Sequence, residues 1–266
     1  MGQEKVVMPL VFDVQYLFVR SLKKLLRTPI LLFFSLLQPI IFLLLFTQLF
    51  SKFSSIPSFT ASTGTSSYTE FAIAGILLQN AFSSALQSGT SVVDDINSGY
   101  LQKMLVTPVS RPAILLGRLV TDAFRVVIQS AIIIVLALVL GVTFATGPIG
   151  VVLIFFTIAF FGLAWSGISL AIGLRTKSAE TVFGIGGFLT FPLLFMSTAL
   201  APQLFMPDWM QTISKFNPIS YTVDAVRALL INGFDWGTIL PAFAVLAGIA
   251  IVTLGATLYL FRKVVT

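Results

Sequence analysis

The chain has 266 residues, 57% of them hydrophobic and only 10% charged, with a net charge of +6 and a mean hydropathy of +1.00. A soluble domain carries about 25% charged residues, so a water-soluble globule of this composition would expose broad apolar surface; hydrocarbon is the solvent that suits it. Cysteine and histidine are both absent. That excludes a disulfide framework and thiolate chemistry, and it removes the commonest metal ligand and neutral-pH acid–base group.

Residues 1–29 read as an N-terminal segment distinct from a membrane domain over 30–266. Within Leu10–Thr28, Val11, Val14, Phe18, Leu22 and Leu25 fall on one helical face, with Arg20, Lys24 and Arg27 opposite. This is the pattern of an interfacial amphipathic helix whose basic residues meet anionic headgroups, and it also suits contact with a cytoplasmic partner. Pro29 marks the turn into the bilayer. The segment is not a cleavable signal peptide. The first long apolar run starts only near Ile30, and Ser51-Lys52-Phe53-Ser54 has no small-x-small site.

Six runs are long and apolar enough for membrane-spanning helices: about Ile30–Leu49, Phe71–Thr90, Ala113–Val142, Ile149–Leu174, Thr181–Leu200 and Thr238–Phe261. Unbroken apolarity excludes barrel strands, which alternate, so an all-α polytopic fold is expected. Gln38-Pro39 and Pro192 lie mid-span, where proline frees a carbonyl and kinks a helix. Between spans, Phe50–Glu70 is a polar loop and Gly141–Pro148 a tight turn. The connection 201–237 carries Pro202, Pro207 and Pro218 and short amphipathic pieces around Trp209–Phe216 and Ile219–Leu230. These suit short helices at the outer leaflet, with Trp209, Tyr221 and Trp236 at interfacial depth. Thirteen of the sixteen Lys and Arg residues fall on one side of this arrangement; only Lys52, Lys215 and Arg227 fall on the other. The positive-inside rule therefore places both termini in the cytoplasm.

The connection 92–111 is the most informative. Asp94 and Asp95 precede a Gly99 break, then Leu101, Met104 and Leu105 come at helical spacing, and Thr107-Pro108 closes the segment before Arg111. A short helix with one apolar and one polar edge is expected along the cytoplasmic face, either as an ordinary loop helix or as a peg for a partner. Arg118, Asp122 and Arg125 share one face at the start of the third span, where Asp122 can pair with either arginine. Snorkelling into the headgroup region is the plain reading of this cluster, and a part in gating is the functional one. Glu70 and Glu180 sit at span edges. The cluster Gly184-Ile185-Gly186-Gly187 lies inside a span with no strand before it, so it reads as helix packing rather than nucleotide binding. Gly162, Ser166, Ser169 and Gly173 read the same way.

The segment Asp94, Asp95, Gly99, Leu101, Met104, Leu105, Thr107, Pro108, Val109, Ser110, Arg111 resembles the cytoplasmic-loop signature of ABC-2-type permeases. The resemblance extends over essentially the whole chain, including Asn217-Pro218 before the second short outer helix, and is nearest to the daunorubicin-resistance type of drug-export permease. Gln102 stands where an acidic residue is common, and Tyr100 where a threonine is frequent. The resemblance implies an exporter in which two six-helix permeases, identical or homologous, sit on two copies of a separate ATPase. In that scheme Asp94 to Arg111 form the coupling helix, and ATP and Mg are bound by the partner. This chain has no Gly-x-x-x-x-Gly-Lys-Ser/Thr to cradle phosphates, so no cofactor, metal or catalytic residue is expected in it. Lipid is an expected partner and nucleic acid is not. A secondary transporter is the rival reading, disfavoured because no acidic residue or histidine is expected near a span centre. A membrane enzyme is a third, disfavoured by the lack of any metal-ligand spacing or base-partnered nucleophile.

Overall fold

The computed structural model describes residues 10–27, 29–107 and 109–265, and these form helices with no strand among them. In chain order they are α1 (Leu10–Leu26), α2 (Pro29–Leu49), α3 (Pro57–Thr63), α4 (Tyr68–Asn97), α5 (Tyr100–Leu105), α6 (Arg111–Val139), α7 (Gly147–Thr176), α8 (Ala179–Phe195), α9 (Asp208–Phe216), α10 (Pro218–Arg227) and α11 (Trp236–Val265). Helix starts follow local rules. Ser67 caps α4 by accepting the Glu70 amide at 3.5 Å, while its own amide donates to Thr65 Oγ1 at 3.0 Å. Ser178 caps α8 by accepting from Thr181 at 3.1 Å. Asn217 caps α10 with Pro218 at the first helical position, and its amide nitrogen also donates to the Leu193 carbonyl at 2.6 Å, which ties α10 to α8.

Three helices are long and apolar enough to cross a membrane: Pro112–Val139, Gly147–Thr176 and Trp236–Lys263. Helices also occupy the other three expected positions. Phe33–Leu49 and Ala179–Phe195 are shorter apolar helices. The helix α4 is 30 residues long but carries Gln79, Asn80, Ser84, Gln87 and Ser88 along its middle. It tolerates them because it is the central helix, packed by α2, α6, α7, α8 and α10. Protein rather than lipid surrounds it, and two of these side chains bond to α6: Ser88 donates to Asp122 and Gln87 accepts from Arg125.

The main core runs along α4 and α7, where Phe82 meets Phe161 and Trp165 edge-on at 4.8 and 4.7 Å. Small residues allow the approach. A Cβ on Gly89 would fall on the backbone of Ser169, and one on Gly173 would fall on the carbonyl of Gly89. Gly162 lies against Val126 of α6. The Gly184–Gly187 cluster packs less than expected: Gly186 abuts Leu86, but Gly184 faces open space and Gly187 meets only Phe191 of its own helix. The ends of α4, α7 and α11, the starts of α6 and α8, and α1 and α5 gather at one end of the bundle. The opposite end holds α3, α9, α10 and the turn between α6 and α7.

Candidate functional site

At the first end the chain leaves α4, turns through Gly99 and enters α5. Gly99 has φ +69°, a left-handed conformation that glycine adopts without penalty, and a side chain there would be strained. Leu101 is buried in a second apolar cluster with Val92, Val93, Leu115, Leu174 and Phe261, against which Met104 and Leu105 also pack. Leu101 therefore fastens the short helix to the bundle. The residues facing outward are Gln102, Lys103, Val106 and Thr107, with Val106 86% exposed. Asp94 is exposed beside them, whereas Asp95 is half-buried. Pro108 and the side chain of Arg111 lie outside what is described. The apolar positions of the sequence pattern thus face the bundle, and the exposed surface of α5 is the complementary face.

Helix α1 lies on α6 and braces this region. Asp13 is buried, and its Oδ2 accepts the Ser110 amide at 3.0 Å at the start of α6. A carboxylate there meets the positive end of the helix dipole. Phe18 meets Phe124 edge-on at 5.3 Å, and Leu17 sits where a side chain on Gly117 would go. The Arg20 guanidinium lies 4.4 Å over the Tyr100 ring, so the residue that departs from the family pattern is the one that links α1 to α5. Asp13 escaped the sequence reading because it falls on the same helical face as Arg20 and Lys24, where a charged residue reads as solvated.

Of the two arginines open to Asp122 on α6, the structure pairs it with Arg125. Arg118 pairs with Asp95 of α4 rather than with Asp122. Asp122 pairs with Arg125 at 3.3 Å and accepts the Ser88 hydroxyl of α4, while Arg125 Nη1 donates to Gln87 Oε1 at 2.8 Å. The Asp122 side chain is 6% exposed. These groups do not snorkel into solvent; they staple α6 to α4 in the interior. Asp122 belongs to the first half of the apolar helix Pro112–Val139.

The opposite end holds a second ion pair that sequence reasoning missed. Arg227, counted there only as an outer-side charge, is buried. Its Nη1 donates to Asp224 Oδ1 at 3.0 Å, its Nη2 to the Thr198 carbonyl at 2.8 Å, and its plane lies 3.8 Å over the Phe71 ring. Thr198 Oγ1 donates to the same Asp224 oxygen at 2.7 Å. Burial pushes the Asp224 carboxyl above its ordinary value, opposed by Arg227 and Thr198. Burial also lowers Arg227 to about 10, opposed by Asp224. Beside the pair is a cavity of 530 Å³ whose wall includes Phe71, Pro202, Gln203 and Leu204. The only trace in the sequence was the tetrapeptide Asp224-Ala-Val-Arg227, which matches Asp122-Ala-Phe-Arg125 in form. Among the described residues no group of acidic side chains could hold a metal ion.

A helical bundle with long apolar helices, buried intrahelical charges neutralised in pairs and a braced short helix at one end defines a multi-pass membrane protein. The sequence profile of the ABC-2 type transporter family matches residues 13–231, and the chain belongs to that family. It is similar to the daunorubicin resistance ABC transporter permease protein of Streptomyces coeruleorubidus, 33% identical over 88% of this chain and 81% of that one. It is also similar to the ycf38 protein of Cyanophora paradoxa, 35% identical over 82% of this chain and 75% of that one. The probable doxorubicin resistance permease of Mycobacterium tuberculosis is 26% identical over 65% of this chain and 63% of its own length.

Proposed function

We propose that this chain is the membrane-spanning permease subunit of an ATP-binding-cassette exporter in the plasma membrane, moving a hydrophobic or amphipathic drug or lipid-like cargo out of the cytoplasm. In this reading α2, α4, α6, α7, α8 and α11 each cross the bilayer, with both termini and α5 in the cytoplasm. Two permeases, identical or homologous, form the pathway, and two copies of a separate ATPase hold the ATP and Mg. The amphipathic α1 lies in the headgroup layer, where its exposed Phe12, Tyr16 and Val19 meet lipid. The drug-resistance names of the relatives support the cargo class.

The observation that carries this reading is the mounting of α5. A coupling element must be rigid toward the membrane and open toward its partner. Leu101 locks one face into the apolar cluster, Asp95–Arg118 ties the approach to α6, and Gln102, Lys103, Val106 and Thr107 stand free. A push on that ridge passes to α4 and α6 through the Asp95–Arg118 and Asp122–Ser88 contacts. The natural chain has no cysteine, so single cysteines report cleanly. Cysteine at Lys103 or Val106 is expected to cross-link to the co-purified ATPase, and Leu101→Pro to leave ATP hydrolysis running without transport. No cross-link anywhere from Asp94 to Thr107 removes the docking proposal. An ion-gradient-driven carrier is the alternative. Asp122 argues against it, because a coupling carboxylate has to exchange its proton with water and this one is enclosed by Arg125 and Ser88. Transport that survives ATP depletion and collapses with the ion gradient would establish the alternative.

A further inference from the structure

The cavity beside Asp224 differs from the rest of the molecule in what its walls offer. Its hydroxyl donors are already spent. Ser62 Oγ donates to the Phe59 carbonyl at 3.0 Å, Thr198 Oγ1 to Asp224 at 2.7 Å and Thr238 Oγ1 to Asp235 Oδ2 at 2.6 Å. Gln203 donates its amide to the Gln211 carbonyl at 3.2 Å and to Ser214 Oγ at 3.3 Å, leaving its own carbonyl oxygen as an acceptor. Asp224 Oδ1 receives both Thr198 and Arg227, while Oδ2 has no partner among the described residues. The wall thus carries spare acceptors at Asp224 Oδ2 and Gln203 beside the apolar surfaces of Phe71, Pro202 and Leu204, while the buried Arg227 Nε has no hydrogen-bond partner among the described residues.

The two charges at the wall are unequal in reach. The Arg227 side chain is 10% exposed, with two nitrogens committed and its face against Phe71. The Asp224 side chain is 41% exposed. A ligand entering the cavity therefore meets the carboxylate, whose ionised form Arg227 favours against the effect of burial. The volume of 530 Å³ falls within the range of small-molecule sites, about 300–1,000 Å³.

We propose that this cavity is a binding site for an organic ammonium ion, an alkyl or aryl amine whose charged head donates to Asp224 Oδ2 and the Gln203 carbonyl while its apolar body lies on Phe71, Pro202 and Leu204. In the orientation proposed above the site opens on the non-cytoplasmic side; that placement rests on the exporter reading, but the recognition chemistry does not.

The test uses the full chain in detergent, without ATPase, and fluorine NMR of three water-soluble probes with one ring: para-fluorobenzylammonium, para-fluorobenzyl alcohol and para-fluorobenzoate. The ammonium is expected to bind and the other two are not. Asp224→Asn should weaken ammonium binding by at least about tenfold, the scale of one charge-assisted hydrogen bond. Leu204→Trp, at a largely exposed wall position away from the ion pair, should block it with the fold intact. Equal binding of the alcohol, preferential binding of the benzoate, or ammonium binding unaffected by Leu204→Trp each overturns the proposal. If Asp224→Asn does not fold, the probe series and Leu204→Trp still decide. Failure here leaves ATP-driven export untouched, and loss of ATP-driven export with ammonium binding retained removes the exporter reading alone.

Discussion

Asp122-Ala-Phe-Arg125 and Asp224-Ala-Val-Arg227 are nearly the same tetrapeptide, and each forms an intrahelical ion pair, at 3.3 and 3.0 Å. One lies in the α4–α6 crossing with its carboxylate 6% exposed, the other at the far end of the bundle with its carboxylate 41% exposed beside a cavity. In the first, every contact outside the pair is to another helix, through Ser88 and Gln87. In the second, Oδ1 is shared between Thr198 and Arg227 while the other oxygen is left open. The same local geometry serves as a staple where helices close over it and as a binding wall where they do not.

The largest effect expected from this contrast is on stability. Breaking a buried pair leaves an uncompensated charge, so Asp122→Ala should cost about 3–5 kcal/mol. Asp224→Ala should cost less, about 1–2 kcal/mol, because the carboxylate removed is 41% exposed and the buried Arg227 left behind keeps the Thr198 carbonyl and the Phe71 ring. Thermal unfolding in detergent that ranks the two in the opposite order would break the comparison. A smaller effect tests why the inner pair is closed. Gly89→Val would drive a side chain into the Ser169 backbone at the position next to Ser88, and overpacking of this kind costs about 1–3 kcal/mol. The same change at Gly184, which faces open space, should be close to neutral in the same melting experiment.

The smallest effect is a pH slope. Burial raises the folded-state value of Asp224 above its unfolded one. A carboxyl shifted in that direction contributes stability in acid that is lost as pH rises through the folded value. Wild type should therefore gain melting temperature relative to Asp224→Asn as pH falls from about neutral to about 4, the region where carboxylates titrate. A constant difference across that range would show that Asp224 is not shifted by burial.

Much of this organisation was legible in the residues. Helices stand at all six apolar runs, and both short helices of the 201–237 connection lie where their amphipathic stretches and prolines put them, because a span's period and a proline's fixed φ are local properties. The break at Gly99 and the short helix after it were equally local. The partners of charges were not. Arg118 pairs with a residue on another helix rather than with its own i+4 neighbour, and Asp13 finds the Ser110 amide across ninety-seven positions of chain. The polar middle of α4 also had to await the structure, since only its surroundings explain why it can be central without being uniformly apolar.

By itself the sequence determined the solvent, the helical class and the family, since hydrophobic composition, periodicity and a contiguous motif are carried by residues near one another in the chain. Only the tertiary structure decided which face of α5 is free, which of two similar Asp–Arg pairs is sealed and which is open, and where a cavity forms. Exposure and pairing depend on which helices pack beside a residue, and that is settled by long-range packing rather than by neighbours in sequence.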